Sequence, residues 1–282
     1  MDGTTQSIAA GPVSRLRTDQ LSSGYGAVTI LEGVSLAVDD GKVTVLVGPN
    51  GSGKSTLLKT MARILSPAAG SVLLDGKAIH ARNSRDVAKT LGLLPQGPIP
   101  PEGLTVRELV CQGRFPHQGL LRQWTSQDAE AVNDAMITAG VADFADRPVD
   151  TLSGGQRQRC WIAMVLAQQT PLLLLDEPTT FLDLKVQVDL MELLADLAHS
   201  RGRTLVVVLH DLSLAAAYAD TLVMMKDGQI VCSGPPHTVF TSERLKAVFD
   251  LDARVIRDPE TGQLVCVPLG QHAQRRRADR AA

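Results

Sequence analysis

Apolar and polar positions along this chain follow two rhythms, and the switches between them mark its elements. Val28-Thr29-Ile30-Leu31 and Val34-Ser35-Leu36-Ala37-Val38 alternate with a period of two and are broken by Glu32-Gly33 and Asp39-Asp40-Gly41. That pattern predicts two short strands with turns between them. Lys42 to Val47 is a nearly continuous apolar run suited to a buried strand, and Thr56 to Met61 continues as a helix. Ser71-Val72-Leu73-Leu74 ends in the turn Asp75-Gly76, which reads as antiparallel sheet around that buried strand. A proline-rich loop, Pro95 to Pro101, marks a change of character. After it, Thr105-Val106-Arg107-Glu108 matches a capping box and opens a helix. Ala129, Val132, Met136 and Ile137 form an apolar stripe at helical spacing, so residues 97–161 read as a mostly helical insert. Leu172-Leu173-Leu174-Leu175 then resumes the buried-strand type. Val186, Leu190, Leu193, Leu194 and Leu197 stripe the next helix, and Thr204 to Leu209 is another buried strand. Strand, helix and strand in succession argue for a parallel sheet with crossovers. Residues 254–268 resemble a hairpin turning at Asp258 to Gly262, and no internal repeat is visible.

Composition narrows the class. The 282 residues suit one large α/β domain or two small ones. A formal charge of −2 carries no nucleic-acid footprint, although Arg275-Arg276-Arg277 with Arg280 is locally basic and reads as a solvated, disordered tail over 271–282. Cys111, Cys160, Cys232 and Cys266 show no metal spacing and read as reduced cytosolic thiols. Met1 to Pro12 lacks the basic start and apolar core of a signal peptide. The longest apolar runs are strand-sized, so the chain is expected to be soluble and to act at a membrane only through a partner.

Candidate chemistry starts at Gly48-Pro49-Asn50-Gly51-Ser52-Gly53-Lys54-Ser55, a complete phosphate-binding loop between the predicted strand and the helix that continues from Thr56. Its glycines let backbone N–H groups converge on phosphate oxygens, and the helix N-terminus adds positive potential. Lys54 is expected to reach the β- and γ-phosphates and Ser55 to ligate Mg²⁺, which makes the ligand a nucleoside triphosphate. Asp176-Glu177 follows the apolar strand Leu172 to Leu175. Beside a phosphate loop, Asp176 can hold Mg²⁺ directly or through water, and Glu177 can accept a proton from an attacking water. Leu152-Ser153-Gly154-Gly155-Gln156 is a second anion-binding nest at a helix start.

Phosphate loop, Leu-Ser-Gly-Gly-Gln and Leu-Leu-Leu-Leu-Asp-Glu-Pro in this order resemble an ATP-binding-cassette (ABC) ATPase. The resemblance runs from about Leu16 to Leu269 and implies an ABC domain over 13–270. The implied fold is α/β of the P-loop NTPase type, a parallel-sheet core with an antiparallel β subdomain and a helical subdomain. It also implies that Tyr25 stacks on adenine, that Gln96 contacts Mg²⁺ and senses the transport partner, and that His210 hydrogen-bonds the γ-phosphate. Thr56 joins the nucleotide-binding set. Asp183 lies in the loop that would cross a dimer interface, where Phe181 replaces the small residue more usual there. Two copies would associate head to tail, with Ser153 and Gly155 of one closing on the ATP held by Lys54 of the other.

Gly113-Arg114-Phe115-Pro116-His117-Gln118, the stretch from Pro178 to Leu190, and the chain's close around Asp258-Pro259 and Val267-Pro268 look like ATPases of the ferric-siderophore, haem and vitamin B12 import family, nearest to the ferric-siderophore branch. That resemblance implies a permease dimer above a pair of these subunits at the cytoplasmic membrane face. It also implies an extracytoplasmic binding protein that delivers cargo. Import of vitamin B12 or haem, and a soluble regulatory ATPase, remain the alternatives.

Overall fold

The structure is a computed structural model that describes residues 14–99, 102–119 and 124–270. The N-terminal segment and the Arg-rich tail discussed above lie outside the described residues, as does the end of the proline-rich loop. The chain opens with β1 (Leu16–Tyr25), β2 (Val28–Val38), β3 (Val43–Val47), α1 (Lys54–Met61), β4 (Ala69–Leu74) and β5 (Lys77–Ala78). Next come α2 (Ser84–Ala88), β6 (Leu91–Leu94), α3 (Val106–Gln112), α4 (Ser126–Thr138), α5 (Gly154–Ala167) and β7 (Leu172–Asp176). It continues through α6 (Leu184–His199), β8 (Thr204–Val208), α7 (Leu212–Tyr218), β9 (Thr221–Lys226) and β10 (Gln229–Gly234). It closes with α8 (Pro236–Val239), α9 (Ser242–Phe249), β11 (Ala253–Arg257) and β12 (Leu264–Pro268).

These strands form an antiparallel sheet in the order β2-β1-β4-β5, a larger sheet in the order β10-β9-β3-β8-β7-β6, and the hairpin β11-β12. In the larger sheet β9, β3, β8, β7 and β6 run parallel, and β10 pairs antiparallel at one edge. Every residue of β3, β7 and β8 is buried, the reason their sequences read as unbroken apolar runs. The strand period of two splits that sheet between two cores. Val45, Leu173, Leu175 and Val207 face a cluster that includes side chains of α3 to α6. Leu46, Leu172, Leu174 and Val208 face a second cluster, shared with Leu57, Leu58 and Met61 of α1 and with the antiparallel sheet. Each such burial contributes on the order of 1.5–3 kcal/mol.

Two expectations need correction. The break at Glu32-Gly33 does not end a strand. β2 runs through it, with Gly33 in the left-handed region at φ +63° and register shifts that absorb the irregularity. The buried face of α4 is also not the expected stripe. Val132 and Met136 are buried, but Ala129 and Ile137 face solvent, and Ala131 and Ala135 take their places. Asp128, Ala131, Val132, Ala135, Met136 and Ala139 recur at helical spacing on one face, and the fully buried Asp128 on that face meets the Arg114 guanidinium at 2.9 Å. The Thr105–Glu108 capping box is present as expected.

Candidate functional site

Parallel pairing brings the C-terminal ends of β3, β6, β7 and β8 to one edge of the sheet. Asp176 is the last residue of β7, and the phosphate loop, Gln96, Glu177 and His210 lie just past the four ends, so sheet order alone gathers residues more than 150 positions apart in sequence. The loop, Gln96, Glu177 and His210 border a cavity of about 690 Å³ that also includes Tyr25 and Ile30 from the antiparallel sheet.

The loop is shaped by close backbone approach. A Cβ on Gly48 would lie 2.2 Å from the Met225 carbonyl oxygen, and one on Gly53 would lie 2.6 Å from Leu31 Cδ2. Gly53 itself sits at φ +97°. The Gly228 N–H donates to the Ser52 carbonyl at 3.2 Å, so the β9–β10 turn braces the loop from behind. α1 starts at Lys54 with no side-chain cap and no acid in its first turn, whereas α3, α4 and α5 each carry a capping box. Its leading N–H groups are therefore available to an anion. Lys54 is only 5 % exposed, and its Nζ donates to the Gly48 and Pro49 carbonyls at 2.8 and 3.0 Å. Burial lowers its pKa, against the pull of Glu177 and Asp176.

Asp176 Oδ1 accepts from Ser55 Oγ at 2.9 Å, while Oδ2 is buried without a hydrogen-bond partner among the described residues. Burial raises the Asp176 carboxyl above its ordinary range; the Ser55 bond opposes that rise and the Glu177 charge adds to it. An orphaned carboxylate oxygen beside a serine hydroxyl fits a hard cation.

Glu177 is gripped from several sides. Oε1 lies 2.6 Å from His210 Nε2, Oε2 accepts from Gln96 Nε2 at 2.7 Å, and Thr180 Oγ1 donates to Oε2 at 3.1 Å. Gln96 and His210, expected at the metal and the γ-phosphate, are here both engaged with Glu177. Tyr25 stands at the cavity rim, about half exposed.

Ser153, Gly154, Gly155, Gln156 and Asp183 line a different pocket, of about 250 Å³. Ser153 and Gln156 cap α5 reciprocally, and Asp183 Oδ1 accepts from the Val186 N–H at 3.0 Å to cap α6. A Cβ on Gly155 would come within 2.9 Å of Val186 Cγ1, so the second glycine lets α5 sit against α6. Phe181, at φ +62° and 99 % exposed, borders the same pocket. Sequence reasoning missed Ile30, the Gly228 brace and Thr180. Of these only Thr180, a hydroxyl three residues after Glu177, left a readable signal.

Residues 31–180 match the ABC transporter family model. The ferric enterobactin transport ATP-binding protein FepC of Escherichia coli (strain K12) is 49% identical over 261 residues, covering 93% of this chain and 96% of that protein. The probable siderophore transport system ATP-binding protein YusV of Bacillus subtilis (strain 168) is 49% identical over 259 residues, 92% of this chain and 94% of that one. Among solved structures, the dimeric post-hydrolysis state of the ATP-binding cassette MJ0796 with ADP and Pi aligns with a TM-score of 0.67 at 28% identity, covering 78% of this chain and 98% of that one.

Proposed function

Because the chain belongs to the ABC transporter family, an ATP-hydrolysing one, we propose that it is the motor subunit of an importer that carries ferric siderophore across the cytoplasmic membrane. One observation carries the hydrolytic role proposed for the site. The Glu177 carboxylate is fixed above the phosphate loop, in the cavity that contains Lys54 and Ser55. The cargo reading rests on the likeness to siderophore-transport ATPases over more than nine-tenths of the chain.

In the proposed reaction a water oxygen bonds to the γ-phosphorus, its proton passes to Glu177, and the bond from γ-phosphorus to the bridging oxygen breaks to leave ADP and phosphate. Lys54 leaves its loop carbonyls for phosphate oxygens. His210 and Gln96 release Glu177 as they take up γ-phosphate and partner contacts. Ser55 and Asp176, with Gln96 beside them, would hold Mg²⁺, which when bound neutralises charge on the phosphates.

Residues 13–270 would form one cassette with its helical insert at about 97–161. The separation of the two anion-binding groups within one chain supports a head-to-tail homodimer, with Ser153 and Gly155 closing on the partner's nucleotide. The groove beside Gly97, Pro98, Trp161 and Phe181 would receive a cytoplasmic helix of the permease dimer. No described helix is long and apolar enough to cross a membrane, so attachment to the cytoplasmic face would run through that permease. The test is uptake of radiolabelled ferric siderophore in cells lacking the gene. Rescue by wild type but not by Glu177→Gln is expected. Equal uptake in every strain would overturn the cargo assignment.

A further inference from the structure

Among the described residues three side chains hold the Glu177 carboxylate, and the reading above employs two of them, Gln96 and His210. Both are exposed and follow the ends of other strands, β6 and β8, so each can leave for another partner. Thr180 differs. It is partly buried and sits on Glu177's own loop, where its N–H donates to the Glu177 carbonyl at 3.3 Å while its hydroxyl donates to Oε2 at 3.1 Å. The same segment is tied further along, by the Leu182 N–H to the Thr179 carbonyl at 3.3 Å and by Gln187 Nε2 to the Leu182 carbonyl at 2.9 Å.

Glu177 itself stands at φ +52°, a left-handed conformation costly for a residue with a Cβ, and Pro178 follows it. Such strain persists only where the surroundings impose it, and it gathers at working sites. Thr180, bonded to the Glu177 carbonyl and carboxylate, closes the turn that follows Glu177.

We propose that Thr180 is a positioning residue for Glu177. Its hydroxyl holds the carboxylate at the angle from which it takes the water proton, through the interval when Gln96 and His210 are engaged elsewhere. A hydroxyl suits the task because it can donate to the carboxylate and, after the proton arrives, rotate to accept from the carboxylic acid. The Gln96 amide nitrogen can only donate. The proposal rests on Glu177 as the base.

The test is steady-state Mg-ATP hydrolysis by the full chain carrying Thr180→Val, Thr180→Ser, Glu177→Gln or the Glu177→Gln/Thr180→Val pair, with nucleotide affinity and thermal unfolding measured alongside. Thr180→Val should lower kcat about tenfold with KM within about twofold, and Thr180→Ser should restore kcat to within about threefold of wild type. The double variant should be no slower than Glu177→Gln alone, because the two residues act as one unit. Wild-type kcat in Thr180→Val beside an inactive Glu177→Gln would overturn this proposal alone. So would an equal loss in Thr180→Ser, or a further loss in the double variant. Normal turnover in Glu177→Gln would overturn the base assignment, and this proposal with it.

Discussion

Replacing Asp176 with Asn should make the ligand-free protein more stable while removing its response to magnesium. Asp176 is 1 % exposed at the end of β7, with one oxygen bonded to Ser55 and the other without a partner. Burial raises its pKa in the folded chain. A raised carboxyl means the folded state binds the proton more tightly than the unfolded state. Its contribution is therefore favourable at pH below the unfolded value and is lost as pH rises through the folded one. Above the folded value the ionised group works against folding. An isosteric amide keeps an acceptor for Ser55 and removes the charge. A buried unsatisfied polar atom costs about 1–3 kcal/mol, and more when charged. Neutralisation should thus gain on the order of 1 kcal/mol, or roughly 2–4 °C in Tm for a domain of this size class. The wild type should in turn gain about 2.7 kcal/mol from Mg-ATP at a hundred times Kd. The assay is thermal unfolding of both proteins without ligand, with ATP and EDTA, and with Mg-ATP. A lower ligand-free Tm in Asp176→Asn, or an undiminished magnesium-dependent rise, would refute the reasoning.

Glu177→Gln should bind ATP as wild type does, yet accumulate as a nucleotide-bound dimer on size-exclusion chromatography; a turnover rate equal to wild type would count against the base. Gly48→Ala places a Cβ 2.2 Å from the Met225 carbonyl oxygen, so the phosphate loop must shift, with a cost of about 1–3 kcal/mol in denaturant unfolding and weakened nucleotide binding. Arg114→Ala removes the charge facing the buried Asp128, and should cost about 3–5 kcal/mol of stability by chemical denaturation. A loss under about 1 kcal/mol would show that the pair contributes no more than an exposed one.

Much of the site was legible because its signals are local. The phosphate loop, the capping box at Thr105 and the anion nest at Ser153 each depend on hydrogen bonds spanning a few residues, and such spacing is written directly into sequence. The runs in β3, β7 and β8 announced strands buried on both faces for the same reason. The α4 stripe misled because Ala129 and Ile137 lie to one side of the true face, which Ala131, Val132, Ala135, Met136 and Ala139 form. That face also carries Asp128, paired with Arg114 fourteen positions earlier, a partner that no pattern within α4 names.

Sequence alone therefore determined which short segments form the phosphate loop, the helix caps and the acidic strand end. Tertiary structure alone decided which of them meet. Sheet order sets β6, β7 and β8 side by side, so Gln96 and His210 close on Glu177 across separations of 81 and 33 residues. It also leaves Ser153 and Gly155 in a pocket apart from Lys54. The physical reason is that strand order follows from packing both faces of the sheet into two cores, a property of the whole chain that no local pattern of residues encodes.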